Sequence, residues 1–163
     1  MEKEKLRKEF GDLYEAYADA LFRYCFFKTG DRELAKDMLQ DICLKAWVYM
    51  QDHTIVLGRP FLYRLARNTV IDWYRKKKTS SLDNLLEQGF EPEDKKADTS
   101  AFAEKEQLMK MIGKLENEDQ EILLLRFVED LSPKEIAEVL NERENTISVR
   151  VHRALGRLRE ISK

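Results

Sequence analysis

The sequence predicts an all-α protein: two small helical domains joined by a flexible acidic linker. Three observations carry this. Gly and Pro are scarce, 6 and 3 in 163 residues, so tight turns have few places to form. The common residues are Leu, Glu, Lys, Arg and Ala, which sit in helices at low cost. Apolar residues recur at three and four along most of the chain, with one long break. A hydrophobic content of 43% is enough for real cores, and 163 residues fit either one domain or two small ones.

Leu13, Tyr14, Tyr17, Leu21, Tyr24 and Cys25 follow helical spacing and mark a first helix ending near Thr29-Gly30. Asp31 then caps a second helix through about Met50, with Leu34, Ala35, Met38, Leu39, Ile42, Ala46 and Trp47 as its apolar stripe. The loop "QDHTIVLGR" follows, and Pro60 suits the first turn of a third helix running to about Lys77. Leu62, Leu65, Ala66, Thr69 and Trp73 share the face expected to be core.

After Lys78 the helical period is lost. Residues 79–102 contain Gly89 and Pro92 and form a linker able to span about 25–30 Å if unstructured, with room for a short helix at Leu82–Leu86. Period returns near Ala103, with Leu108, Met111, Ile112 and Leu115 on one stripe. Asn117 with Gln120, and more clearly Ser132-Pro133 with Glu135, resemble capping boxes. Helices are therefore expected over about Glu118–Glu129, Pro133–Leu140 and Glu144–Ile161.

The formal net charge of −2 conceals a strong segregation. Arg59 to Lys78 holds seven bases against one acid, Thr79 to Gln107 eight acids against three bases, and Arg143 to Arg159 five Arg against one Glu. Two basic islands separated by acidic sequence suit two contacts with nucleic acid better than the net charge suggests. Cys25 and Cys43 lie in apolar helical patterns and fit small core residues rather than a disulfide. His53 and His152 are far apart and have no Cys nearby, so no metal site and no cofactor are expected. The charged start "MEKEKLRKEF" lacks the apolar stretch of a signal peptide, and no run is long enough to insert in a membrane. A soluble protein of a reducing, cytoplasmic compartment is expected.

Only "NERE" separates Leu140 from Asn145, the short connection of a helix-turn-helix, whose second helix enters the major groove. On that helix Ile147, Val151, Ala154, Leu155 and Leu158 gather on one side. Asn145, Ser148, Val149, His152 and Arg153 fall opposite, with Thr146 and Arg157 at the edges and Arg150 nearer the packed side. Hydrogen-bonding, small and cationic side chains are what base edges and phosphates require. A plain helical hairpin with a solvated basic face has the same pattern, and the concentration of Arg favours DNA.

The third helix carries Tyr63, Arg64, Arg67, Ile71, Tyr74, Arg75 and Lys78 away from its expected core face. Cations alternating with rings fit a single strand, whose phosphates need charge and whose unstacked bases need planar partners. At least one of the two Tyr also fits the core of a small domain packed on several sides, and Asn68 is equally suited to holding the neighbouring loop by backbone hydrogen bonds. On the second helix Asp37, Gln40 and Asp41 are neighbours flanked by Lys36 and Lys45. That pattern suits a solvated face or a docking face for a basic partner.

Together, "LYEAYADALFRYCFFKTGDRELAKDMLQDICLKAW", "FLYRLARNTVIDWYRK" and "LLLRFVEDLSPKEIAEVLNERENTISVRVHRALGRLR" resemble, in order, an extracytoplasmic-function (ECF) sigma factor of bacterial RNA polymerase. The resemblance implies a region 2-like domain over 1–78, a linker over 79–102 and a region 4-like domain over 103–163. It implies core polymerase (the β′ clamp helices and the β flap) and promoter DNA, duplex and single-stranded, as partners, with an anti-sigma factor as regulator. Asp37, Gln40, Asp41 and Lys45 become candidates for core binding. Arg64, Arg67, Asn68, Asp72, Tyr74, Arg75 and Lys78 become candidates for the −10 element, with the loop "QDHTIVLGR" holding a flipped base. Asn145, Thr146, Ser148, Val149, Arg150, His152, Arg153 and Arg157 become candidates for the −35 element. The chain departs from the family pattern at Cys43, where Phe is usual, and in the turn "LNERENT", where Gly, an apolar residue and Ser usually precede the recognition helix. Asn141 can still turn left-handed, whereas Glu142 cannot plug the core and Arg143 is a poor N-cap.

The rival is an independent helix-turn-helix repressor or activator, which would leave the acidic stripe and the ring-bearing helix without roles. A small helical enzyme is not supported, because no nucleophile–base pair, phosphate-cradling Gly loop or metal spacing is present.

Overall fold

A computed structural model of the chain describes the backbone of residues 2–53, 57–80 and 100–162, and the side chains of these except 78–80 and 100–103. The described residues are helical throughout apart from short connections, as expected of an all-α chain. They fall into two compact units, Met1–Gly89 and Phe90–Lys163. The expected linker and its short helix at Leu82–Leu86 lie outside the described residues, except that the flanking helices run past both linker boundaries.

In the first unit, α1 (Glu2–Thr29), α2 (Arg32–His53) and α3 (Arg59–Ser80) pack against one another pairwise. α1 buries residues only in its second half, at Leu21, Tyr24, Cys25, Phe27 and Thr29. Tyr14, expected on the apolar stripe, is exposed. The helix closes where Thr29 Oγ1 donates to the Cys25 carbonyl at 2.8 Å and Gly30 turns left-handed at φ 69°. Asp31 caps α2 as expected, its Oδ1 accepting the Leu34 N–H at 3.1 Å. Ala35, Met38, Ile42, Ala46 and Met50 then fill the core side of α2.

α3 keeps Leu62, Ala66 and Thr69 in the core as expected, but its buried face is turned toward Tyr63 and Val70. Leu62, Tyr63, Ala66, Thr69 and Val70 are buried, whereas Leu65 and Trp73 are half-buried. Tyr63 is thereby corrected from the open face to the core, where its ring meets Tyr24 edge-on with centroids 6.1 Å apart. The ring of Trp73 is instead covered by Lys77, whose Nζ lies 4.6 Å from its centroid.

The second unit begins with α4 (Ser100–Ile112) and continues through α5 (Asn117–Leu123) into a π-helical segment, Leu124–Val128. The sequence predicted one plain α-helix here. Instead the Glu129 N–H bonds back five residues to Leu124 at 3.0 Å. The widening accompanies a burial demand that one α-helical stripe does not meet, since Ile122, Leu123, Leu124 and Leu125 are consecutive and all fully buried. α4 and α7 pack against α5, and α4 and α6 against the π segment. The expected Asn117–Gln120 capping box does not form. Glu116 is the N-cap, and Gln120 Nε2 donates instead to the Leu115 and Gly113 carbonyls at 2.6 and 3.1 Å, closing the turn between α4 and α5.

α6 (Pro133–Leu140) and α7 (Glu144–Ile161) have the expected bounds. Ser132 and Glu135 form the capping box reciprocally, at 3.1 and 3.0 Å. Asn141 ends α6 left-handed at φ 55°, and Arg143 starts α7 without a side-chain cap. Ile147, Val151, Ala154 and Leu158 seat α7 on the core.

Candidate nucleic-acid interface

The turn between α6 and α7 sets the geometry of the second unit. A helix capped at both ends leads through Asn141 into a helix that buries one stripe and leaves the other open. Asn145, Thr146, Ser148, Val149, His152 and Arg153 are all exposed, so one helix brings them to one surface. Val149, 48% exposed, is the apolar member of that surface, of the kind that meets a thymine methyl.

Two of the expected arginines are already engaged. Arg150 Nη1 lies 2.6 Å from Glu142 in the turn, and Arg157 Nη1 lies 2.8 and 2.9 Å from the two oxygens of Asp119 on α5. The sequence reading missed both acids. Glu142 carried a signal, a charged side chain where the turn offers no core to fill, whereas Asp119 is 38 positions from its partner and carried none.

In the first unit Arg64, Asn68 and Arg75 are exposed and Arg67 is half-buried along one arc of α3. Tyr74 sits at its edge, 38% exposed. Its hydroxyl donates to the Lys28 carbonyl at the end of α1, and its ring meets Trp73 edge-on at 4.8 Å. Burial pushes the Tyr74 phenol above its ordinary pKa, so it stays a neutral donor. Lys78 lies on α3, but its side chain is outside the described residues, as are residues 54–56 of the expected base-holding loop.

The acidic stripe of α2 divides between two grooves. Asp37, Asp41 and Lys45 line one of about 220 Å³ with Thr69, Asp72 and Trp73 of α3. The Asp41–Lys45 pair, at 2.9 Å, is half-exposed and screened by solvent. Gln40 faces a different groove, of about 620 Å³, lined also by Phe10, Tyr14, Cys43, Leu44 and Trp47. Burial raises the pKa of the Cys43 thiol, which lowers its reactivity. Leu44 and Val48, 61% and 47% exposed, were missed by the sequence reading. At 100° per residue they share the outward face of α2 with Asp37, Gln40 and Asp41. Their signal was available, since both fall out of register with the Ala35–Met50 stripe.

The chain thus pairs a three-helix unit that carries a basic arc on α3 with a helix-turn-helix unit whose second helix leaves a polar face open. Residues 13–79 match the family described as Sigma-70 region 2, and residues 105–158 match Sigma-70, region 4. The RNA polymerase sigma factor YlaC of Bacillus subtilis (strain 168) is 31% identical over 159 residues, covering 92% of this chain and 90% of that protein. The ECF RNA polymerase sigma factor SigM of the same organism is 26% identical over 152 residues, covering 92% and 93%. The sigma factor RpoE from Bartonella quintana, solved in complex with the anti-sigma factor NepR, shares the fold with a TM-score of 0.72 at 23% identity, over 94% of this chain and 96% of that one. The chain belongs to the sigma-70 family of RNA polymerase sigma factors, in its ECF branch.

Proposed function

We propose that this chain directs core RNA polymerase to specific promoters by dividing the work between its two units. The first, residues 1–78, contacts core polymerase through Asp37, Gln40, Asp41 and Lys45 on α2, with Leu44 and Val48 adding apolar area between the charges. Its α3 captures the melted −10 strand with Arg64, Arg67, Asn68, Asp72, Tyr74, Arg75 and Lys78. Stacking is worth about 1–3 kcal/mol per base and offsets part of the cost of unpairing. The second unit, residues 103–163, reads the −35 duplex through the open face of α7, from Asn145 to Arg157.

One observation carries this reading: matches to sigma-70 regions 2 and 4 lie in order on separate units, the second presenting an exposed polar helix after a short turn. The β′ clamp helices and the β flap are the expected polymerase contacts. An anti-sigma factor covering the same faces is the expected regulator, by analogy with the Bartonella quintana complex. The chain works in the cytoplasm as a subunit without a catalytic site of its own. Among the described residues no helix is long and apolar enough to cross a membrane.

Runoff transcription with core polymerase tests the proposal. Promoter-dependent transcripts should require both core and this chain. Tight operator-like binding by the chain alone, without stimulated transcription, would sink it.

A further inference from the structure

Thr146, Arg150, Arg153 and Arg157 follow one another at i, i+4, i+7 and i+11 and form a stripe on one flank of α7. From Arg150 to Arg157 it runs about 10 Å along the helix, roughly three base steps of a duplex. Its two end arginines are each paired to an acid from another element, but the layering is opposite. In the Arg150–Glu142 pair the side chains are 27% and 37% exposed, so the acid lies at least as far out as the base. That arrangement clips the turn to the helix. In the Arg157–Asp119 pair the arginine is 59% exposed and the aspartate only 15%, so the acid lies beneath and the cation outward.

Both Asp119 oxygens accept from the same Nη1 of Arg157. A guanidinium has five N–H donors, and this contact occupies one edge of it. A free arginine loses about 2 kcal/mol of rotamer entropy when it is fixed, and holding one end beforehand removes part of that cost from binding. Against this, the carboxylate offsets the guanidinium's charge and leaves the pair formally neutral. The layering decides between the two effects, because the aspartate is shielded from solvent by the cation it holds.

We propose that Asp119 is a positioning residue for promoter recognition: from α5 it holds Arg157 outward on α7, with the remaining guanidinium donors directed at a phosphate of the −35 duplex. This rests on the reading of α7 as the −35 helix. It assigns a part in promoter recognition to a residue of α5 that acts through Arg157 of α7.

The test is binding of reconstituted holoenzyme to promoter DNA with an intact or a replaced −35 element, across a salt series. Arg157→Ala should weaken −35-dependent binding and flatten the log–log salt slope by about one phosphate contact. Asp119→Ala should also weaken it, by about tenfold, the scale of one charge-assisted contact, although the variant loses a negative charge. If Asp119→Ala instead tightens binding and steepens the slope by about 0.9, the acid only neutralises Arg157 and the proposal is overturned. Thermal melts accompany each variant, and the swap of Asp119→Arg with Arg157→Asp separates folding from positioning. The swap should recover stability but not promoter affinity, and recovery of both overturns the proposal. Arg153→Ala is the reference. If it and the replaced −35 element both leave affinity unchanged, α7 is not the reader and the inference falls with it. If they weaken binding while Asp119→Ala does not, the inference alone fails.

Discussion

The hydroxyl of Tyr74 donates to the carbonyl of Lys28, joining two residues 46 positions apart and tying the C-terminal part of α3 to the last turn of α1. A ring expected to face DNA is thus anchored at its far end, which fixes where its face can turn. Helix ends leave carbonyls without partners, and this bond satisfies one of them.

Tyr74→Phe should therefore lower the stability of the first unit by about 0.5–1.5 kcal/mol, the net worth of one hydrogen bond, measured by chemical denaturation. The raised phenol pKa gives a pH signature. The contribution is fully present below the unfolded phenol's value of about 10. It is lost as pH rises through the higher folded value. Tyr74→Phe should abolish that alkaline component, and Tyr74→Ala should in addition impair promoter opening.

Charge reversal at Asp37 or Asp41 should weaken binding to core polymerase while leaving the melting temperature almost unchanged. Asp37 is exposed, and the Asp41–Lys45 pair is a solvated helix pair of little net worth. Holoenzyme assembly measured by fluorescence anisotropy checks this, and unchanged affinity for both reversals counts against the assignment. Leu44→Ala should weaken the same binding, because its side chain has little packing to lose within the unit.

Ser132→Ala should cost the second unit about 1 kcal/mol, since it removes half of a reciprocal capping box. Urea unfolding of the chain would read the loss as a lower midpoint with an unchanged slope.

Asn141→Ala should destabilise by about 1–2 kcal/mol, because alanine has no local hydrogen bond to offset the left-handed backbone at φ 55°. Asn141→Gly should cost nothing or stabilise slightly. Thermal denaturation that ranks alanine above glycine would contradict the strain argument.

Gly11→Ala should stabilise α1 by about 0.5–1 kcal/mol. The residue lies mid-helix and exposed, and an added Cβ would meet nothing within 4 Å. Helical circular dichroism through a melt reads the gain directly.

What could be read beforehand follows from how local each cause is. α6 and α7 were bounded correctly because Ser132-Pro133 and Asn141 are start and stop signals within a few residues of the ends they make. On α3 Leu62, Ala66 and Thr69 were legible as core, but the edges of that face were not, because Tyr63 and Trp73 are amphipathic rings compatible with either side. Packing against Tyr24 decided in favour of Tyr63. The Asp37–Asp41 stripe was visible as helix spacing, but its division from Gln40 depends on which groove each borders, a property of two helices together. Arg157 was legible as a cation and not as a held one, since Asp119 is close only after folding.

The π segment at Leu124–Val128 carries one consequence for chain length. A π turn is an α-helix holding one residue more than its hydrogen-bond ladder needs. Losing one residue here would return the ladder to α-helical bonding without displacing the helices on either side. Elsewhere in α5 the same deletion would rotate the residues that follow by about 100° and turn buried leucines outward. Single-residue length variation in this unit should therefore be tolerated at residues 124–128 and selected against in the turns before and after α6, where spacing sets the direction in which α7 leaves.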